Sequence, residues 1–175
     1  MLELKNKIRL IPLTKIHGPK MFEWVSDPDI ASGIGLRETP SLEKTHRWIE
    51  RAASSDSGIR AFAIEFGGHH VGNVVLDRID LILKTARVSI YIGEKDSQGK
   101  GVATSSLKLL LDEAFERMGL NKIWLIVHVD NPRAIKIYKQ LGFVQEGRLR
   151  QEFLIKGQRR DVYYFGLLRE EYLKY

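Results

Sequence analysis

The chain has 175 residues, 43% of them hydrophobic and 29% charged, the balance of one ordinary globular domain and not of a disordered or low-complexity chain. It holds no cysteine, which excludes disulfides, thiolate metal sites and cysteine nucleophiles. Lys and Arg outnumber Asp and Glu by 28 to 22, a net charge of +6 that favours anionic ligands: nucleic acid, acidic lipid or a phosphorylated cofactor. No apolar run approaches the roughly 18 residues needed to cross a bilayer. The start, Met1-Leu2-Glu3-Leu4-Lys5, lacks the apolar core of a signal peptide, so a cytoplasmic location is expected.

Lys7 to Pro12 alternates weakly and predicts a first strand. Thr14 can cap a helix running to about Val25, which Ser26-Asp27-Pro28-Asp29 should break. Ala31 to Pro40, rich in Gly, Ser, Thr and Pro, reads as a loop. Ser41 opens a second helix with Leu42, Thr45, Trp48, Ile49 and Ala52 on one stripe, stopped by the polar cluster Ser54-Ser55-Asp56-Ser57-Gly58. Phe62, Ile64 and Phe66 alternate in a strand, Gly67-Gly68 turns, and Val71 to Leu76 returns. In Arg87 to Ile92 the apolar Val88, Ile90 and Ile92 face one way, and Arg87, Ser89 and Tyr91 the other.

A glycine loop follows from Gly93 to Val102, then the clearest helix of the chain, with Leu107, Leu110, Leu111, Ala114, Phe115 and Met118 on one stripe before Gly119. Ile123 to Val127 is nearly all apolar and predicts a strand covered on both faces. Asn131 can cap a helix with Pro132 in its first turn, and Ala134, Ile137, Tyr138 and Leu141 share a face up to Gly142. Phe143 to Ile155 and Gln158 to Leu168 then form a hairpin about Lys156-Gly157. There is no internal repeat and no linker, so a single α/β domain over residues 1–175 is expected. The basic group Arg148, Arg150, Lys156, Arg159 and Arg160 falls on that hairpin and reads as a solvated face. No recognition helix or interleaved aromatics accompany it, so neither nucleic acid nor membrane is an expected partner.

Strand, Gln98-Gly99-Lys100-Gly101-Val102-Ala103-Thr104, helix is an arrangement with chemical meaning. Glycines let the main chain bend and approach a ligand closely. The first turn of the next helix leaves N–H groups without partners at the positive end of its dipole, and phosphate is their natural ligand. The same residues would also make a plain strand-to-helix turn. Two known phosphate motifs do not fit. A P-loop needs four residues between its glycines followed by Gly-Lys-Ser/Thr, and a dinucleotide fingerprint needs a third glycine where Thr104 stands.

Gln98-Gly99-Lys100-Gly101-Val102-Ala103 resembles the Q/R-x-x-G-x-G/A signature of the GNAT superfamily of acetyl-coenzyme A-dependent N-acetyltransferases. Asn131-Pro132-Arg133-Ala134, with Tyr138 and Leu141-Gly142-Phe143, resembles that family's N-x-x-A-x-x-x-Y-x-x-x-G-F segment. The similarity runs from about Val71 to Tyr164. It implies a mixed α/β sheet, antiparallel through its first four strands and flanked by helices. The strand after the long helix would lie parallel to the one before the loop, splayed from it, with a right-handed crossover. It also implies acetyl-coenzyme A as co-substrate and no metal. The strand end Tyr91-Ile92-Gly93 and Asn131 would contact the pantetheine arm, backbone N–H groups from Gln98 through Gly99, Lys100, Gly101, Val102 and Ala103 to Thr104 would hold the pyrophosphate, and Tyr138 would protonate the departing thiolate. A thiolate, with reference pKa about 8.5, leaves more readily beside a phenol of about 10 that can give it a proton.

The attacking amine must be neutral, so a base or a water chain is needed. Many relatives place Glu on the strand before the Asn motif. This strand reads Ile123-Trp124-Leu125-Ile126-Val127-His128, which leaves His128 and Glu94 as the nearest titratable groups. The tail from Val144 to Phe153, with Gly157 and Asp161, is similar to the branch holding spermidine and ribosomal-protein N-terminal acetyltransferases. Glu38 falls near where that branch places acids for a cationic substrate, yet Gly33-Ile34-Gly35-Leu36-Arg37-Glu38 has little acid clustering, and Arg37 fits an anionic substrate better. His46-Arg47-Trp48-Ile49 resembles a segment of enzymes acting on nucleotide-linked amino sugars, and equally a packed amphipathic helix. Three acceptors stay open: an amino sugar, a polyamine or other small amine, and a peptide N-terminus. A non-catalytic acyl-coenzyme A sensor would keep the loop without needing Tyr138, and self-association into a homo-oligomer is compatible with all of these.

Overall fold

The computed structural model describes residues 7–54, 56–155 and 157–174. The opening Met1 to Lys5, Ser55 of the polar cluster and Lys156 of the hairpin turn lie outside the described residues. The strands are β1 (Ile8–Pro12), β2 (Arg60–Phe66), β3 (His69–Asp80), β4 (Thr85–Ile92), β5 (Lys122–His128), β6 (Val144–Ile155) and β7 (Gln158–Leu168). The helices are α1 (Gly18–Val25), α2 (Pro28–Gly33), α3 (Leu42–Ala53), α4 (Val102–Asp112, continued by a π turn over Glu113–Arg117), α5 (Pro132–Gln140) and α6 (Arg169–Tyr172). One mixed sheet runs in the order β1-β2-β3-β4-β5-β7-β6. Every neighbouring pair is antiparallel except β4 and β5.

That parallel pair is short. Thr85, Ala86 and Arg87 stand opposite Lys122, Ile123 and Trp124, and beyond Arg87 the strands part. Both partners are held firmly at their roots. Leu107, Leu110, Leu111, Ala114 and Phe115 of α4 and its π turn are fully buried, clustered with Ile64, Leu76, Ile123, Leu125, Phe165 and Leu167. At about 1.5–3 kcal/mol for each large apolar side chain buried, this stripe fixes α4 on the sheet and so fixes where its N-terminus sits.

Three local expectations are corrected. The helix from Thr14 to Val25 is broken: a 3-10 turn over Lys15–His17 precedes α1, with the Thr14 N–H donating to His17 Nδ1 at 3.0 Å. The loop expected from Ala31 begins only after Gly33: Ser26–Asp29 ends α1 as expected but also starts α2, because Asp27 Oδ1 accepts from the Asp29 N–H at 2.9 Å and Pro28 suits a first helical turn. Last, β5 buries one face only: Ile123, Leu125 and Val127 are buried while Trp124 and Ile126 are half-buried. Its other face carries a stacked Trp124–Tyr164 pair (centroids 5.1 Å apart), with the Arg87 and Arg78 guanidinium groups about 6 Å over the indole.

Candidate active site

Where β4 and β5 diverge they open a cleft of about 390 Å³. Ile90, Tyr91 and Ile92 line one side, Gln98, Gly99, Gly101, Val102, Ala103 and Thr104 its head, and Asn131, Ala134 and Tyr138 the far side. Gly99 (φ +76°) and Gly101 (φ +78°) occupy the left-handed region that L side chains seldom adopt. Gly101 is the N-cap of α4 and no side chain caps the helix, so its first-turn N–H groups stay available for an anion at the positive end of the dipole. The Gln98 side chain locks the loop, Nε2 donating to the Ile92 carbonyl at 2.9 Å.

Two of the expected loop contacts are placed differently. Lys100 is exposed and does not line the cleft, and the side-chain positive charge there comes from Arg133 and Lys136 of α5, which the sequence reading did not single out. Gly93 does not line it either. A Cβ at Gly93 would lie 2.1 Å from the buried Trp24 ring, so this glycine lets α1 pack on the end of β4. Among the described residues no cluster of three or more His, Cys, Asp or Glu could hold a metal ion.

Asn131 Oδ1 accepts from the Ala134 N–H at 3.1 Å and so caps α5. Its carboxamide nitrogen remains to donate into the cleft. Tyr138 is only 9% exposed and makes edge-on or tilted ring contacts with Phe143 (5.8 Å) and Phe165 (6.4 Å). Burial pushes its phenol up to about 12, so it carries its proton throughout the neutral range. A neutral, apolar-walled phenol in the cleft is in the state a proton donor needs.

On the opposite face of β4 lies a second cavity of about 500 Å³. Its floor is three cross-strand pairs of β3 and β4, Asn73 with Tyr91, Val75 with Ser89 and Asp77 with Arg87. The period-2 alternation read in β4 thus divides the two cavities, with Ile90 and Ile92 toward the cleft and Arg87 and Ser89 toward the second cavity. Tyr91 lines both. Its hydroxyl accepts from Asn73 Nδ2 at 2.6 Å, and burial pushes its phenol up to about 12. Asn73 is 1% exposed, and its Oδ1 lies 3.0 Å from His70 Nε2, so a chain of hydrogen bonds runs from the second cavity to a half-buried imidazole.

Arg37 and Glu38 line the rim of that second cavity, where Glu38 pairs with Lys44 at 3.0 Å. The two base candidates lie elsewhere. His128 Nε2 is 3.3 Å from the Ser32 carbonyl and its ring packs edge-on to Phe153, an arrangement that ties α2 to the sheet and leaves it lining neither cavity. Glu94 is a half-exposed partner of Lys20 at 3.8 Å and also lines neither. Sequence reasoning missed Asn73 and the Asp77–Arg87 pair. Polar residues inside the apolar run Val71 to Leu76, and facing charges on paired strands, were the signals available.

A cleft of this shape, with an uncapped helix start at its head, can be compared with known proteins. The profile of the Acetyltransferase (GNAT) domain matches residues 7–144. The chain is 39% identical over 118 residues to the spermidine N(1)-acetyltransferase of Escherichia coli K12, covering 67% of this chain and 63% of that enzyme, so the match spans under two thirds of the relative's length. Bacillus subtilis YdaF, whose name provisionally assigns it to ribosomal N-acetylation, is 26% identical over 98% of this chain and 91% of its own. Among solved structures, the Vibrio cholerae spermidine N-acetyltransferase in complex with CoA and spermine superposes with a TM-score of 0.89 at 29% identity, over 96% of this chain and 99% of that one. With the motifs, the splayed parallel pair and the domain match in agreement, the chain belongs to the GNAT acetyltransferase family.

Proposed function

We propose that this protein is an acetyl-coenzyme A-dependent N-acetyltransferase that acetylates the primary amine of a small molecule by direct attack in a ternary complex. The observation that carries the reading is the pair of cavities on the two faces of β4, meeting at Tyr91. One cavity suits a phosphorylated chain with its head at the α4 start, and the other suits an amine. Acetyl-coenzyme A supplies an activated acetyl thioester. The first-turn N–H groups of α4, with Arg133 and Lys136 nearby, would hold its pyrophosphate, and Tyr91, Ile92 and the Asn131 carboxamide would run along its arm. Tyr138, whose phenol carries its proton at neutral pH, would deliver that proton to the departing sulfur. The amine's proton would leave through water in the open second cavity, a route that needs neither His128 nor Glu94, which line neither cavity.

A sensor without chemistry would need no proton donor where the thiolate departs, so Tyr138 lining the cleft favours the enzymatic reading. The reading includes a cytoplasmic location, where acetyl-coenzyme A is available. No helix among the described residues is long and apolar enough to cross a membrane. It also includes self-association. The V. cholerae spermidine N-acetyltransferase has a dodecameric form, and here the β3–β4 connection exposes Leu81, Ile82 and Leu83 (73, 92 and 68% exposed). Polyamines and amino sugars are the acceptors to offer first, with coenzyme A binding by calorimetry and thiol release from acetyl-coenzyme A as the readouts. Binding with amine-dependent thiol release is the expected result. A folded protein that does not bind coenzyme A would overturn the assignment.

A further inference from the structure

We infer that the amine acetylated here carries an anionic group, a phosphate ester or a carboxylate, received by Arg37 and Arg51 at the rim of the second cavity; this rests on the N-acetyltransferase reading above. Six charged side chains line that cavity: Arg37, Glu38, Lys44, Arg51, Asp77 and Arg87. Both carboxylates are already engaged. Glu38 pairs with Lys44 at 3.0 Å. Asp77 holds Arg87 through two bonds, Oδ1 accepting from Nε at 2.7 Å and Oδ2 from Nη2 at 2.6 Å, with both side chains under a quarter exposed. A polycation that took Asp77 for itself would strand the Arg87 guanidinium in a largely dehydrated position, which is unfavourable.

With the two pairs cancelled, the cavity keeps two positive charges, those of Arg37 and Arg51. Among the described residues neither has a carboxylate within ion-pair distance. Guanidinium groups are suited to phosphate and carboxylate, which they can grip through two parallel hydrogen bonds. The reacting end of the cavity is the opposite kind of place. Asn73 is buried and Tyr91 half-buried, both uncharged and hydrogen-bonded, fit for a neutral amine beside the cofactor cleft. The cavity is therefore polarised along its depth: uncharged where the nitrogen would react, cationic where the remainder of the molecule would emerge. A molecule with its amine at one end and an anion at the other matches both, whereas a polyamine meets repulsion at the rim.

The test is equilibrium binding to the coenzyme A-loaded protein of two matched pairs and one polycation: glucosamine against glucosamine 6-phosphate, hexylamine against 6-aminohexanoate, and spermidine. At least one anionic member should bind roughly tenfold tighter than its counterpart, the gain expected of two exposed ion pairs. Which pair responds tells phosphate from carboxylate. The advantage should fall to about twofold or less in Arg37→Gln/Arg51→Gln, and Arg37→Glu/Arg51→Glu should turn the preference toward spermidine. Equal binding within both pairs (none measurable included), tighter binding of spermidine than of either anionic probe, or an advantage that survives Arg37→Gln/Arg51→Gln would overturn the inference. Coenzyme A affinity, measured first, separates the two claims: its absence counts against the enzyme reading, and its presence with the wrong acceptor ranking counts against the charge argument alone.

Discussion

Replacing Tyr138 with Phe removes one oxygen from a side chain that is 9% exposed. The ring keeps its contacts with Phe143 and Phe165, and among the described residues the hydroxyl makes no hydrogen bond that its loss would leave unsatisfied. Unfolding free energy should therefore change by no more than about 0.5 kcal/mol, and coenzyme A affinity by less than about twofold. Turnover should drop by roughly 10²–10⁴, equivalent to about 2.7–5.5 kcal/mol in the barrier. The assay is thiol release at saturating acceptor, beside thermal melting and calorimetric binding on the same preparations. The pH profile supplies a second handle. A raised phenol pKa keeps the proton-bearing form populated to higher pH, so a group held at about 12 loses no donor capacity near pH 10, where an ordinary phenol would be half ionised. A variant with more than about a tenth of the parent's turnover would remove Tyr138 from proton transfer. A tenfold loss of coenzyme A affinity would show instead that its role is in binding.

Gly101→Val forces a β-branched residue to φ +78° at the start of α4, and coenzyme A binding measured by calorimetry should weaken at least about tenfold; normal affinity in a folded variant would contradict the loop assignment. Asp77→Asn leaves the Arg87 guanidinium, 24% exposed, without its bidentate partner, and chemical denaturation should show a loss of about 1–3 kcal/mol, below the range of a fully buried pair. A loss under about 0.5 kcal/mol would mean that water already screens the pair. Burial lowers the His70 pKa, against a smaller opposing contribution from its bond to Asn73, while His17 and Lys20 add to the lowering. The folded state thus disfavours the proton that the unfolded chain accepts below about pH 6.5, so stability should decline as pH falls through that value. His70→Gln should flatten melting temperature between about pH 7 and pH 5, and an unchanged slope would assign the decline to other groups.

Much of the cofactor side was legible because its signals are local. The α4 stripe, the Asn131-Pro132 cap and the glycines ahead of Val102 each lie within a few residues of what they determine, and Gly99 and Gly101 do take the left-handed conformations that only glycine adopts readily. Ser26–Asp29 does end α1, but the Asp27 side chain and Pro28 also open α2, so the start of the loop was misread. The second cavity was not legible, since its floor depends on the register that sets Asn73 opposite Tyr91 and Asp77 opposite Arg87. Register between strands is a long-range outcome that no window of sequence contains. The placement of Arg133 and Lys136 was hidden likewise: only the approach of α5 to the glycine loop makes them, and not Lys100, the charges at the cleft.

The three rungs between β4 and β5 make the sheet two panels, four strands and three, joined by a short seam and by the α4 crossover. Past Arg87, alternate N–H and C=O groups of β4 face an opening instead of a strand. A chain-like ligand lying there substitutes for the missing length of backbone ladder and couples the panels mechanically. The alternate amides of β4 beyond Arg87 that face the opening, unlike those paired with β3, should then exchange with solvent readily in the free protein and slow together on binding, while those of Thr85 to Arg87 hardly change. Saturation and stiffness become the same variable: at ligand a hundredfold above its dissociation constant, occupancy alone adds about 2.7 kcal/mol to the unfolding free energy. Resistance to heat or proteolysis would then report how much acyl donor surrounds the protein.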